Sequence, residues 1–142
     1  NYLDDQTFCL TYGDGVSDIN IENLISFHKR HKKKATVTAI SPPGRFGVLN
    51  TNLDDVYSFG EKIDNLNQQI NGGFFVLEPD IFDLIENDDT VWEQFPMKTL
   101  AKQGELKAYK HNGFWMAMDT LRDHRVLEDL WDQRKADWAV WL

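Results

Sequence analysis

Thr7-Phe-Cys-Leu-Thr-Tyr-Gly-Asp-Gly-Val16 decides the fold class of this chain. An apolar run ends in Tyr12-Gly13, and a carboxylate, Asp14, follows between two glycines. Apolar residues with little alternation mark a strand covered on both faces, so Thr7 to Tyr12 is predicted to be a buried strand. In α/β proteins, ligands gather just beyond the carboxyl ends of such strands. An Asp there is placed to hold a metal ion or a sugar hydroxyl, and its glycines let a ligand approach the backbone. An ordinary Asp-Gly turn looks the same, so the stretch alone leaves both readings open. Cys9, inside the run, is predicted to be a small buried hydrophobe.

The segments around this stretch alternate between the two regular periods. Asn20 is placed to cap a helix whose apolar face is Ile21, Leu24, Ile25 and Phe27-His28. Ala35 to Ile40 is β-branched and reads as the next strand. Strand, helix, strand implies a parallel pair with a crossover helix. Ser41-Pro-Pro-Gly44 breaks the chain. Phe46 to Asn50 and Val56 to Phe59 read as short strands joined by the turn Asn52-Leu-Asp-Asp55. Asn71-Gly-Gly-Phe-Phe-Val-Leu77 is another buried strand. A helix over 80–86 starts at Pro79, since proline is tolerated in a first helical turn. Trp92 to Gln103 is predicted to be helical and Leu106 to Lys110 a strand. Phe114 to Met118 is a further strand, and Thr120 to Arg134 a closing helix. The fold class is α/β.

Composition narrows the function classes. The chain has 142 residues, enough for one domain, and 42% are hydrophobic, which is not a disordered composition. A net charge of −8 argues against nucleic acid, whose phosphates need a basic surface. The basic run Lys29-Arg-His-Lys-Lys-Lys34 suits a solvated helix C-terminus. No apolar run reaches the ~18 residues of a membrane span, and the polar, acidic start does not resemble a signal peptide. One cysteine cannot form an internal disulfide, which fits a reducing cytoplasm. Trp131, Trp138 and Trp141 suit a core or a subunit contact better than a cofactor box.

Two aspartates stand at the ends of apolar segments, Asp14 and Asp119. Such a pair suits a hard divalent cation when phosphates and water supply the rest of its shell. Asp119-Thr120 also fits a helix N-cap. Glu61-Lys62 closes a strand, where the Lys could neutralise a phosphate and the Glu accept sugar hydroxyls; an ion-paired surface turn fits equally. Asn71-Gly72-Gly73 could rest a ligand against backbone amides, or be a bulge at a strand start. Pro43-Gly44-Arg45-Phe46-Gly47 is either a ligand loop or a plain one. An EF-hand starting at Asp14 fails, because its sixth position is Ile19. No zinc ligand set, phosphate-binding P-loop or dinucleotide fingerprint is present.

In order along the chain, Tyr12-Gly-Asp-Gly-Val16, Pro42-Pro-Gly-Arg-Phe-Gly47, Glu61-Lys62, Ile70-Asn-Gly-Gly-Phe-Phe-Val76, Trp92-Glu93, Leu106, Gly113-Phe-Trp115 and Met118-Asp-Thr-Leu-Arg-Asp123 resemble the sugar-phosphate nucleotidylyltransferases. The likeness is strongest to their cytidylyltransferase branch and runs from about Phe8 to the Trp-rich tail. It implies the C-terminal part of a Rossmann-like fold with a mixed, mostly parallel sheet. The reaction implied is CTP plus α-D-glucose 1-phosphate giving CDP-glucose and pyrophosphate. Asp14 and Asp119 match the Mg²⁺ ligands, Lys62 the sugar-phosphate lysine, Glu61 a hydroxyl acceptor, and Asn71, Gly72 and Gly47 the sugar-contacting segments. The family often continues Glu-Lys with Pro, where this chain has Ile63. The glycine-rich loop, its Arg and the base-reading residues of the family's N-terminal half have no counterpart in residues 1–142. The implied piece is therefore the sugar-phosphate- and metal-binding part, inactive alone and a homo-oligomer when whole. Another base specificity, such as a thymidylyltransferase, and a non-catalytic sugar-phosphate-binding module stand as alternatives.

Overall fold

The computed structural model describes residue 3 and residues 5–41, 48–52, 55–60 and 69–141. Its elements, in order, are β1 (Phe8–Thr11), β2 (Gly15–Ser17), α1 (Ile21–His31), β3 (Ala35–Ile40), β4 (Val48–Asn52), β5 (Asp55–Gly60), β6 (Ile70–Leu77), a 3₁₀ turn (Pro79–Leu84), α2 (Phe95–Lys102), β7 (Leu106–His111), β8 (Trp115–Ala117) and α3 (Leu121–Asp132). A mixed four-stranded sheet runs β1-β6-β3-β7, and β2-β8 and β4-β5 form two-stranded ribbons.

The sheet is built around β6. Its Phe75 and Leu77 join Ala35, Ile81 and Leu100 in one core, beneath the 3₁₀ turn and α2. Its Val76 points the other way, to Ile19 and to Leu24 of α1. Successive strand residues face opposite sides, so one continuous apolar run serves both layers. Each helix carries its own start signal. Asn20 Oδ1 accepts the Asn23 amide at 2.8 Å, and Thr120 and Asp123 form a reciprocal capping box. The predicted helix over Trp92 to Gln103 begins only at Phe95, because Pro96 occupies its first turn. A proline deeper inside would clash with the carbonyl four residues back.

β1 corrects two expectations. It is an edge strand, and Cys9, Leu10 and Thr11 are exposed rather than buried. Partial desolvation nonetheless pushes the Cys9 thiol up, the opposite of what an attacking thiolate needs. β1 and β3 do point the same way, since both run antiparallel to β6, but β6 lies between them. The direct parallel pair is β3 with β7. The crossover helix is thus correct in direction, and a later strand fills the gap it leaves. Among the tail tryptophans, Trp138 packs on Phe114 with ring centroids 5.2 Å apart, while Trp131 and Trp141 are exposed.

Candidate active site

The ribbon of β2 and β8 brings the backbone of the two motif aspartates to one end. Gly15 faces Ala117, Val16 faces Met116 and Ser17 faces Trp115. One step beyond this ladder, the Met118 amide donates to the Asp14 carbonyl at 2.7 Å. Asp14 therefore stands beside Met118, and Asp119 is the next residue. Both are exposed. The helix-cap reading of Asp119 is displaced, because Thr120 and Asp123 satisfy the first turn of α3. Among the described residues, no cluster of three or more metal-ligating side chains exists. Two exposed aspartates, whose carboxylates are hard donors, stand at one ribbon end. That suits a cation which keeps room for substrate oxygens, as Mg²⁺ does.

A second group of contacts braces this end from β1 and β6. The Tyr12 amide donates to the Gly73 carbonyl at 2.9 Å. The Tyr12 ring lies over Gly73, whose φ is +75°; a Cβ there would come 2.8 Å from the ring. Glycine is required on both counts. Gly72 is also closely packed, since a Cβ would meet Ile40 at 2.6 Å. Its carbonyl accepts from Trp115 Nε1 at 2.8 Å, which ties β6 to β8. Asn71 Nδ2 donates to the Tyr12 hydroxyl at 2.9 Å, and Asn71 Oδ1 accepts from the Gly73 amide at 2.9 Å. The Tyr12 hydroxyl in turn donates to Glu93. Burial first, then the Glu93 carboxylate, push the Tyr12 phenol above its usual range, with Asn71 opposing. It remains a protonated donor at neutral pH.

The Asn71-Gly72-Gly73 segment thus forms the strand-start bulge, where the register against β3 shifts between Val37 and Ala39. The Asn71 amide keeps one N–H and one lone pair beyond these bonds. Gly47, Glu61 and Lys62 lie outside the described residues. The motifs mark Tyr12, Glu93 and Trp115, but their pairings are not visible in sequence, because Tyr12–Glu93 spans 81 residues, Asn71–Tyr12 59 and Trp115–Gly72 43.

Ser17, Asp18 and His111 also meet, yet they do not form a nucleophilic triad. Ser17 Oγ at 3.1 Å, the Phe114 carbonyl at 3.2 Å and Asp18 Oδ1 at 2.9 Å all surround the same ring nitrogen, His111 Nε2. Ser17 gives its own proton to the Phe114 carbonyl at 2.7 Å. A hydroxyl committed in this way, beside a nitrogen facing acceptors, is not deprotonated by that histidine. The group fixes the base of the ribbon.

Residues 1–133 match the Nucleotidyl transferase family. The chain is 57% identical over 138 residues to glucose-1-phosphate cytidylyltransferase of Salmonella typhimurium, covering 97% of this chain and 54% of that protein. It is 29% identical over 123 residues to mannose-1-phosphate guanyltransferase beta-A of Xenopus laevis, covering 83% of this chain and 34% of that protein. The chain spans about half the length, or less, of the curated relatives it matches. The crystal structure of HddC from Yersinia pseudotuberculosis superposes with a TM-score of 0.62 at 20% identity, over 92% of this chain and 57% of that one, and shares its fold. With the family matched over nearly its whole length, this chain belongs to the nucleotidyl transferases.

Proposed function

We propose that residues 1–142 are the C-terminal, sugar-phosphate- and metal-binding part of a glucose-1-phosphate cytidylyltransferase. The observation that carries this reading is the bond between the Asp14 carbonyl and the Met118 amide, which sets Asp14 and Asp119 at one ribbon end. The choice of CTP and glucose 1-phosphate rests on the 57% identity to the Salmonella enzyme.

In the proposed reaction an oxygen of the glucose 1-phosphate attacks the α-phosphorus of CTP. The bond from that phosphorus to the β-phosphate oxygen breaks, and pyrophosphate leaves. The sugar phosphate is already ionised at neutral pH, so no general base is needed. The work of the protein is positioning and charge neutralisation. Asp14 and Asp119 would hold Mg²⁺, which offsets negative charge on the phosphates when bound. Lys62 would pair with the sugar phosphate and Glu61 would accept sugar hydroxyls. Gly47, Asn71 and Gly72 would line the sugar, with the remaining Asn71 N–H as a donor. The nucleotide cradle has no counterpart in this sequence, so the 142 residues are expected to bind sugar phosphate without turning it over.

Calorimetric titration tests both parts. Glucose 1-phosphate is expected to bind in the presence of Mg²⁺, and Lys62→Ala to abolish that binding. CTP alone is expected not to bind. Absence of sugar-phosphate binding contradicts the site. Robust pyrophosphate release from CTP and glucose 1-phosphate by the isolated chain contradicts its incompleteness.

A further inference from the structure

We infer that Glu93 is a positioning residue for the aspartate loop, acting on Asp14 through the Tyr12 hydroxyl; this rests on the metal-site reading above. Glu93 lies in the turn before α2, on neither strand of the ribbon. Its carboxylate nevertheless accepts from a tyrosine 81 residues away. That tyrosine stands two residues before Asp14. Between them is Gly13, where a Cβ would have no neighbour within 4 Å, so Gly13 does not itself fix the loop. The loop is held at two ends. Downstream, the Met118 amide grips the Asp14 carbonyl at 2.7 Å. Upstream, among the described residues, the anchor before Gly13 is Tyr12.

Tyr12 is fixed through its ring, its amide and its hydroxyl. Its ring packs against Phe75, with centroids 5.5 Å apart, and covers Gly73. Its amide bonds the Gly73 carbonyl. Its hydroxyl is clamped between Asn71 and Glu93. The bonds share one direction: the Gly73 amide to Asn71, Asn71 to Tyr12, and Tyr12 to Glu93. Glu93 is the terminal acceptor, and a negatively charged acceptor strengthens such a bond. Remove it and the hydroxyl loses its charged acceptor, which loosens one of the contacts that hold the residue two positions before Asp14. A metal ligand displaced by a fraction of an ångström loses affinity, and the outer partners of ligands govern this.

The test is Mn²⁺ affinity of the 142-residue chain, read by paramagnetic resonance alongside a thermal melt. Tyr12→Phe keeps the ring packing and removes only the hydroxyl. It and Glu93→Ala are expected to weaken Mn²⁺ binding about tenfold. Glu93→Gln keeps an acceptor oxygen and is expected to retain binding within about twofold. Gln94→Ala is the control, since it breaks the Gln94–Lys98 bond of the same turn without touching Tyr12. It is expected to bind as the unaltered chain does. If Glu93→Ala unfolds the chain, Tyr12→Phe decides alone. Unchanged affinity in Tyr12→Phe, or equal weakening in Gln94→Ala, overturns the inference while leaving the metal site standing. An unaltered chain whose Mn²⁺ binding is indifferent to Asp14→Asn overturns both.

Discussion

At the residue scale, the chain contains polar groups whose protonation is set by their neighbours. The Lys33 amide donates to His31 Nδ1 at 2.9 Å, so His31 carries its proton on Nε2. That proton points to Thr36 Oγ1 at 2.7 Å, the Thr36 hydroxyl points to His28 Nδ1 at 2.8 Å, and His28 Nε2 donates to Glu78 at 2.9 Å. Every proton of this buried chain has an acceptor only while His31 is neutral. Burial first, then His28 and the nearby Lys107 and Lys33, hold the His31 pKa below 6.5, against its own backbone. The unfolded chain binds that proton more readily, so stability is full above about pH 6.5 and falls as the pH drops below it. Melting at pH 7.5 and 5.5 should give the lower Tm at 5.5, and His31→Gln should reduce the difference. An unreduced difference would place the acid sensitivity elsewhere. At Gly73, the φ of +75° and the 2.8 Å approach to Tyr12 both reject a side chain. Gly73→Ala should cost about 1–3 kcal/mol by urea unfolding.

At the element scale, local signals carried most of the structure. Asn20 and Thr120 start the helices expected of them, and β3 spans the predicted Ala35 to Ile40; Pro79 opens a shorter 3₁₀ turn, Pro79–Leu84, where a helix over 80–86 is expected. Strand order was not legible. Nothing in residues 7–40 says that β6, far along the chain, inserts between β1 and β3. The exposure of β1 is hidden from the sequence for the same reason, because an apolar run fixes a strand but not its place in the sheet. The site divides in the same way. Asp14 and Asp119 are marked by their motifs, whereas the Tyr12–Glu93 and His111–Asp18 pairs have no local spacing that announces them. Phe75 is the largest of the fully buried side chains in the core beneath α2, packing against Tyr12 and Trp92 with centroids at 5.5 and 5.8 Å. Phe75→Ala is expected to cost about 3–5 kcal/mol of unfolding free energy.

At the scale of the whole molecule, the two edges of the four-stranded sheet differ. β7 carries Lys107 and Lys110, charges of the kind that discourage edge pairing. β1 carries Cys9 and Leu10, both exposed, and no charge. An apolar open edge invites another strand. Light scattering should therefore find the isolated chain self-associating, and Leu10→Lys should shift it towards monomer. A strictly monomeric chain with a sharp, cooperative melt would contradict this. Within the basic run 29–34, Lys33 pairs with Glu105 at 3.0 Å and Lys34 with Asp80 at 3.2 Å.

The account turns on Asp14 and Asp119 acting as one site. The direct measurement is a double-mutant cycle on Mn²⁺ affinity with Asp14→Asn, Asp119→Asn and the pair. If both hold one ion, each single change should remove most of the binding, and the double change should be little worse than either. Losses that simply add, or a single variant that binds as the unaltered chain does, would contradict the shared site.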